Sequence, residues 1–301
     1  RISRLIDMKD IFQDLSTEKI NTNIDTDRKT FNQLVDSFIN EEKKLNKVLK
    51  ANSKKIAKAS EIFFQAFSKG SKIFFIGAGT SGRLGILEAA ECPPTFGTSS
   101  SDIVGLIAGG NRAVFRAVEG AEDSKTSSKK DLLTKGFSKR DLLIGISASG
   151  KTNYVLSAMD YASKINAKTI FISCNKPKKK ISQFDLILEV GPELVAGSTR
   201  LKSGTITKNV LNIITTTAMI KAEKVFKNMM VNISPITKKL RARAVRNIST
   251  ILNLEKAESL KLLEGSNWNM KIAIIMFKKN ISYSKARNLS PNLSLKELFK
   301  K

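Results

Sequence analysis

Histidine is absent from all 301 residues, and the two cysteines, Cys92 and Cys174, share no CxxC spacing. A zinc site of the usual histidine and thiolate kind is therefore not expected, and a Ser-His or Cys-His nucleophilic pair is excluded. Acidic residues are scarce too: 27 Asp and Glu stand against 52 Lys and Arg, a formal charge of +25. Such a surface invites nucleic acid, because it displaces the counterions of phosphates. The excess, however, is mostly lysine spread along the chain, with no arginine block and no aromatic residues between the basic ones. The densest run, KPKKK at 176–180, reads as a solvated loop. No nucleic-acid partner is expected, although small anions would still be drawn inward. There is no run of eighteen apolar residues and no signal peptide, so no membrane partner is expected and the cytosol is the default location.

What is present has a clear order. Residues 1–30 are polar and without period, and read as a loosely ordered arm. From Thr30 to Phe67 apolar residues recur at helical spacing, giving one or two long helices ended by Gly70. Five short apolar runs follow, at 72–77, 102–109, 141–148, 168–174 and 185–191, and all but the last precede a helix-like stretch. That alternation predicts an α/β fold, a doubly wound five-stranded parallel sheet with helices on both faces. A buried helix is expected over 203–226, and beyond Pro235 the pattern is helical only, broken at Asn253, Gly265 and Asn280. Ser294, with Glu297 three residues on, reads as the cap of a last short helix. The expected division is an N-terminal arm and helix (1–60), the sheet domain (61–232) and a small helical subdomain (233–301).

The first strand runs into GAGTSG, whose Gly77, Gly79 and Gly82 match the dinucleotide pattern GxGxxG. A dinucleotide site also needs a carboxylate at the end of the second strand, and that strand ends in AGGNR. Thr80 and Ser81 suit a compact phosphate monoester instead, with backbone amides at a helix start. The third strand repeats the device in SASGKT, which offers Ser147, Ser149 and Thr152. With strand order 2-1-3-4-5 both turns would meet at the switch point, where ligands bind in open sheets.

A strand followed by GTS and a strand followed by SxSGxT resemble the sugar isomerase domain, a phosphosugar-binding module. Together with AVEGAEDS and GSTRLKSGT, the long motif GAGTSGRLGILEAAECPPTFG is similar to the N-acetylmuramic acid 6-phosphate etherase family, and the likeness runs through nearly the whole chain. Lys151 and Asn153 depart from the family's more usual arginine and proline. The resemblance implies a phosphosugar substrate, a homodimer whose pocket is completed across the interface, no cofactor and no metal. It implies phosphate binding by Gly79, Thr80, Ser81, Ser147, Ser149 and Thr152, with Glu122 as the base at C2 and Glu91 as the acid for the lactyl oxygen. Such an acid needs a raised pKa, from burial or a neighbouring negative charge. Read from spacing alone, Glu88, Glu119 and Asp123 are rivals to both. Arg200 and Lys202 are candidates for the lactate carboxylate or the phosphate. Trp268 reads as core of the helical subdomain. A regulator that senses sugar phosphates on the same fold, and an aldose-ketose isomerase, are the alternative functions; release of lactate distinguishes either from an etherase.

Overall fold

The computed structural model describes residues 14–22, 25–233, 235 and 237–300. Five strands, β1 (Ile73–Gly77), β2 (Ile103–Ile107), β3 (Leu142–Ile146), β4 (Lys168–Ser173) and β5 (Phe184–Ile187), pair in parallel in the order β2-β1-β3-β4-β5. Their near-continuous apolar sequences reflect coverage on both faces, since β1 and β3 are buried throughout. The register sets Gly77 beside Ile107 on one side and Ile146 on the other, so β1, β2 and β3 end at one level.

Two helices lead into the sheet. In α1 (Phe31–Ala51) the Thr30 hydroxyl accepts from the Gln33 amide while the Gln33 side chain accepts from the Thr30 amide. The next helix, α2 (Ser53–Ser68), begins after a break at Asn52. Connecting the strands are α3 (Gly79–Phe96), α4 (Gly110–Phe115), α5 (Ser127–Thr134) and α6 (Asn153–Lys164). The long α7 (Lys202–Lys221) follows β5 after a stretch without helix. The helices lie on opposite faces. Ile86 of α3 lies over Gly105, and Gly85 lies over Phe75, whereas Val155 and Met159 of α6 lie over Gly145. The core on the α6 side includes Phe74, Leu143, Tyr154 and Phe171, and Phe74 meets Phe137 edge-on at 5.1 Å. The Tyr154 hydroxyl donates to Asp131 at 2.7 Å, tying α6 to α5; burial and that carboxylate push the phenol well above its usual range.

The chain forms two compact units: one takes in the described residues up to Ala89 together with Ser101–Thr215, the other Ala90–Ser100 with the residues from Thr216 onward. The second unit holds a hairpin, β6 (Val225–Phe226) and β7 (Met229–Met230), then α8 (Lys238–Leu252), α9 (Lys256–Gly265), α10 (Met270–Lys279), α11 (Tyr283–Leu289) and α12 (Leu295–Leu298). Its core includes Ile248, Leu263, Ala273 and Ile274, with Trp268 half-buried against it.

Two expectations need correcting. The helix expected over 203–226 stops at Lys221, because Glu223 takes a left-handed φ of 58° and the Lys224 amide donates back to the Met219 carbonyl at 3.0 Å. Lys227 and Asn228, with φ of 45° and 59°, then join β6 to β7 by a two-residue turn. Nor is all of 1–30 loose: Leu15 and Thr17 are buried, and the turn Ser16–Glu18 is held by the Gly197 amide donating to the Thr17 carbonyl at 3.0 Å. Residues 1–13, 23 and 24 of that expected arm lie outside the described residues. The expected stops at Asn253 and Asn280 are left-handed caps with φ of 55° and 50°, and the Ser294 hydroxyl accepts from the Lys296 amide at 3.1 Å.

Candidate active site

Sequence makes the first turn abrupt. A Cβ on Gly77 would lie 2.6 Å from the Gly82 nitrogen, so only glycine lets β1 end this close to the opening turn of α3. Gly79 then takes φ of 52° and α3 starts at once, with Thr80 and Ser81 half-buried in its first turn. Unpaired amides and the helix dipole there favour an anion.

The second turn leaves the neighbouring strand at the same level. Ser147 is buried; its hydroxyl lies 2.8 Å from that of Thr152 and 3.5 Å from that of Ser149, and accepts from the Gly150 amide at 3.1 Å. The Ser149 hydroxyl accepts from the Lys151 amide at 3.2 Å. Gly150 has φ of 74°, and a Cβ there would meet the Ser173 hydroxyl at 3.0 Å. This nest of small residues is fixed from below by Asn175, just past β4, whose amide nitrogen donates to the Ala148 carbonyl at 2.9 Å. β1 and β3 are neighbours whose helices cover opposite faces, so the two turns open into one crevice at the switch point.

A third segment reaches the same place. A Cβ on Gly204, in the first turn of α7, would lie 3.4 Å from the Thr80 methyl and 3.5 Å from the Thr199 carbonyl. The buried Glu193 caps that helix, accepting from the amides of Lys202 and Ser203 at 3.0 and 2.9 Å and from the Ser203 hydroxyl at 2.7 Å. Arg200 stays exposed, with no ion pair among the described residues. Lys202 is different: its ammonium is buried and lies 2.6 Å from Glu41 of α1, which also meets Lys44 at 2.5 Å. Burial raises the Glu41 pKa, but the two ammonium groups outweigh it and hold the carboxyl below its ordinary range.

On the other side of the first turn, Glu122 is exposed in a short 3-10 turn, Ala121–Asp123. Arg83 of α3 secures the chain leading to it, donating from Nε to the Val114 carbonyl at 2.9 Å and from Nη2 to that of Arg116 at 3.3 Å. Gly79, Arg83, Arg116, Glu119 and Glu122 line one cavity of about 170 Å³. Two carboxylates, Glu119 and Glu122, thus line the same small space as the Gly79 turn.

The family described as "Glucokinase regulatory protein N-terminal SIS domain" matches residues 55–163, a span that contains both turns and Glu122. Over 265 residues the chain is 43% identical to N-acetylmuramic acid 6-phosphate etherase 2 of Vibrio cholerae, covering 87% of this chain and 86% of that one. It is 42% identical to the N-acetylmuramic acid 6-phosphate etherase of Francisella philomiragia over 279 residues, 92% and 95% of the two chains. The chain belongs to the N-acetylmuramic acid 6-phosphate etherase family. A solved Bacteroides fragilis chain involved in capsule formation has the same fold, with a TM-score of 0.50 at 20% identity over 66% of this chain and 95% of that one.

Within this etherase-family chain the positions expected from sequence sort into three groups. Gly79 and Glu122 line one cavity, while Ser147, Ser149 and Thr152 cluster on the adjoining turn. Glu91 is exposed and, twelve residues past Gly79 in the chain, belongs to the second compact unit. Of its rivals, Glu119 and Asp123 are exposed, and Glu88 is buried with Asn212 donating to it at 2.6 Å and Thr215 donating as well. Lys202 is buried and paired with Glu41 at 2.6 Å. Sequence reading missed Asn175, Arg83 and Glu41, which act through other groups. It also missed the docked turn: the Asn175 side chain accepts from the Ser16 amide at 2.7 Å and donates to the Thr17 hydroxyl at 3.0 Å, linking residues 16 and 17 to the turn after β3. The polar STEKIN stretch carries no periodicity that would reveal this contact.

Proposed function

We propose that the chain is a lyase that cleaves the lactyl ether of N-acetylmuramic acid 6-phosphate, releasing D-lactate and N-acetylglucosamine 6-phosphate in cytosolic recycling of cell-wall amino sugars. The reading rests on one observation above all: Glu122 and the Gly79 turn line a single cavity of about 170 Å³.

The hydroxyls and amides of the two turns hold the 6-phosphate. With the sugar ring open, C1 is an aldehyde and the C2 proton is acidic. Glu122 takes that proton, the electron pair forms the C2–C3 double bond, and the C3–O bond to lactate breaks as an acid protonates the departing oxygen. Water then adds across the double bond, its hydroxyl going to C3 and a proton to C2. Each positioned proton carrier contributes about 10²- to 10⁴-fold to such a reaction.

Glu91 is assigned the acid role. Glu91 belongs to the second compact unit and the two turns to the first, and it is assigned to the pocket of a second copy, in keeping with a homodimer whose pocket is completed across the interface. An apolar surface on α1 supports a homodimer: Phe31 is 87% exposed, Val35 is 56% exposed, and Val35, Phe38, Ile39 and Val195 line an apolar groove. Arg200, exposed beside the α7 start, is assigned to the lactate carboxylate, and Lys202 to positioning α7 through Glu41.

The deciding experiment mixes Glu91→Gln and Glu122→Gln proteins, each inactive alone, and assays D-lactate from the phosphorylated muramic acid. Mixed dimers with one intact pocket would restore about a quarter to a half of the wild-type rate. No recovery after subunit exchange, verified by mass, places both acids in one copy. Saturable binding of the phosphosugar without any lactate from the wild type would instead indicate a sensor.

A further inference from the structure

Trp268 is the chain's single tryptophan. It sits in the second compact unit on a cavity of about 620 Å³, lined also by Asn232, Pro235, Arg241, Asn267 and Asn269. Pockets of this size hold small ligands. Asn267 and Trp268 both take left-handed backbone angles, with φ of 52° and 61°. One bulky residue there is uncommon, and strain of this kind gathers where side chains must be presented in a fixed direction. The surroundings enforce it: the amides of Asn267, Trp268 and Asn269 donate to Glu264, Leu263 and Ser266 at 3.1, 2.7 and 3.1 Å.

Arg241, Asn267 and Asn269 are exposed and Asn232 and Trp268 half-buried, so the lining's remaining polar groups face solvent and are open to a ligand. Arg241 donates from Nε to the Pro235 carbonyl at 3.2 Å, and its guanidinium carbon lies 4.9 Å over the Trp268 ring. Its terminal nitrogens have no acceptor among the described residues. Asn232 donates to the Phe96 carbonyl at 2.9 Å and Asn269 accepts from the Ile272 amide at 3.0 Å, which leaves an amide oxygen on the first and an amide nitrogen on the second. The indole N–H and the Asn267 side chain likewise have no partner among the described residues. The α8 helix that carries Arg241 also bears Lys238, Lys239, Arg243 and Arg246 and no acid, so the cavity's field favours an anion.

We propose that this cavity binds a small anionic amino sugar. The guanidinium edge takes the acid group, the amide oxygen accepts from a hydroxyl or acetamido N–H, and the amide and indole N–H groups donate to sugar oxygens. The choice of an amino sugar rests on the lyase reading, whereas the cavity itself draws on none of the residues used there, so failure of one is distinguishable from failure of the other. A carboxylate and a phosphate are both anions that fit the guanidinium, and the probes separate them.

Because the chain has one tryptophan, intrinsic fluorescence of the full protein reports on this cavity directly. The probes are N-acetylmuramic acid, N-acetylglucosamine 6-phosphate and, as the neutral control, N-acetylglucosamine. At least one of the two acids should give a saturable change below about 10 mM that the neutral sugar does not give. Arg241→Gln should weaken it about tenfold or more while Arg241→Lys keeps part of it. Asn267→Gly, which keeps a residue that tolerates φ of 52° but removes the side-chain amide, should weaken the response. A Ser149→Ala substitution, on the phosphate turn, should leave the response unchanged. The proposal is overturned if no acid gives saturation, if the neutral sugar matches the acids, if both Arg241→Gln and Asn267→Gly bind as the wild type, or if Ser149→Ala abolishes the signal.

Discussion

The crevice at the end of the sheet and the cavity beside Trp268 reach polarity by different means. The first is made of turns: its donors are backbone amides and short hydroxyls whose places follow from where β1 and β3 end. The second is made of side chains, Arg241 and three asparagines, arranged by a strained turn between α9 and α10. Turn chemistry depends on residues adjacent in the chain, whereas a side-chain cavity gathers positions from 97 to 270. The difference teaches that the first kind of site is rigid and written locally, while the second is assembled by packing.

The comparison breaks most directly at Glu122, the one carboxylate assigned chemistry in the turn-built site. Glu122→Gln should lower the rate about 10²- to 10⁴-fold and abolish exchange of the C2 proton with deuterated solvent, followed by proton NMR. Glu91→Gln should lose lactate release but keep exchange. Equal loss of both steps in both variants would overturn that division of roles. Stability of Glu122→Gln should change little, because the side chain is exposed.

The next largest effect lies under the turns, not in them. Lys202→Met removes a buried ammonium from Glu41 and should cost about 3–5 kcal/mol in urea unfolding. Glu41 has a lowered folded pKa, so its contribution is complete above the unfolded value of about 4.3 and disappears as pH falls through the folded value. Wild-type stability should therefore decline more steeply below about pH 4 than that of the variant, measured by urea titration across that range. Parallel acid profiles would mean the pair contributes nothing.

A smaller effect is expected in the phosphate turn. Ser149→Ala removes one hydroxyl and should raise KM by about tenfold or more, the loss of one hydrogen bond to a charged group. An unchanged KM would remove Ser149 from the phosphate contacts. The smallest effect belongs to the other unit: Asn228→Ala, where φ is 59°, should destabilise by about 1 kcal/mol with no change in lactate release, since alanine tolerates the left-handed region less well than asparagine.

Much of the sheet was legible because fully covered parallel strands are written as apolar runs. Alternation of strand and helix does not fix strand order, and the order 2-1-3-4-5 entered the sequence reading as a premise that the observed sheet matches. The two turns were legible for the same local reason. The hairpin at 225–230 was not, since Lys227–Asn228 lacks the glycine that usually marks such a turn and the preceding residues continue a helical pattern. Lys202 was legible only as a cation. Its burial against Glu41, 161 positions away, depends on how α1 crosses the start of α7.

By itself the sequence determined the strands, their glycine-rich ends and the chemistry offered there, because each is a property of residues within one short stretch of chain. Tertiary structure alone decided which carboxylates are spent and which remain open. Glu88 and Glu41 are taken up by partners 124 and 161 positions away, while Glu119 and Glu122 line the cavity. The physical reason is that a buried charge must find its partner wherever folding brings one, and sequence spacing does not record that distance.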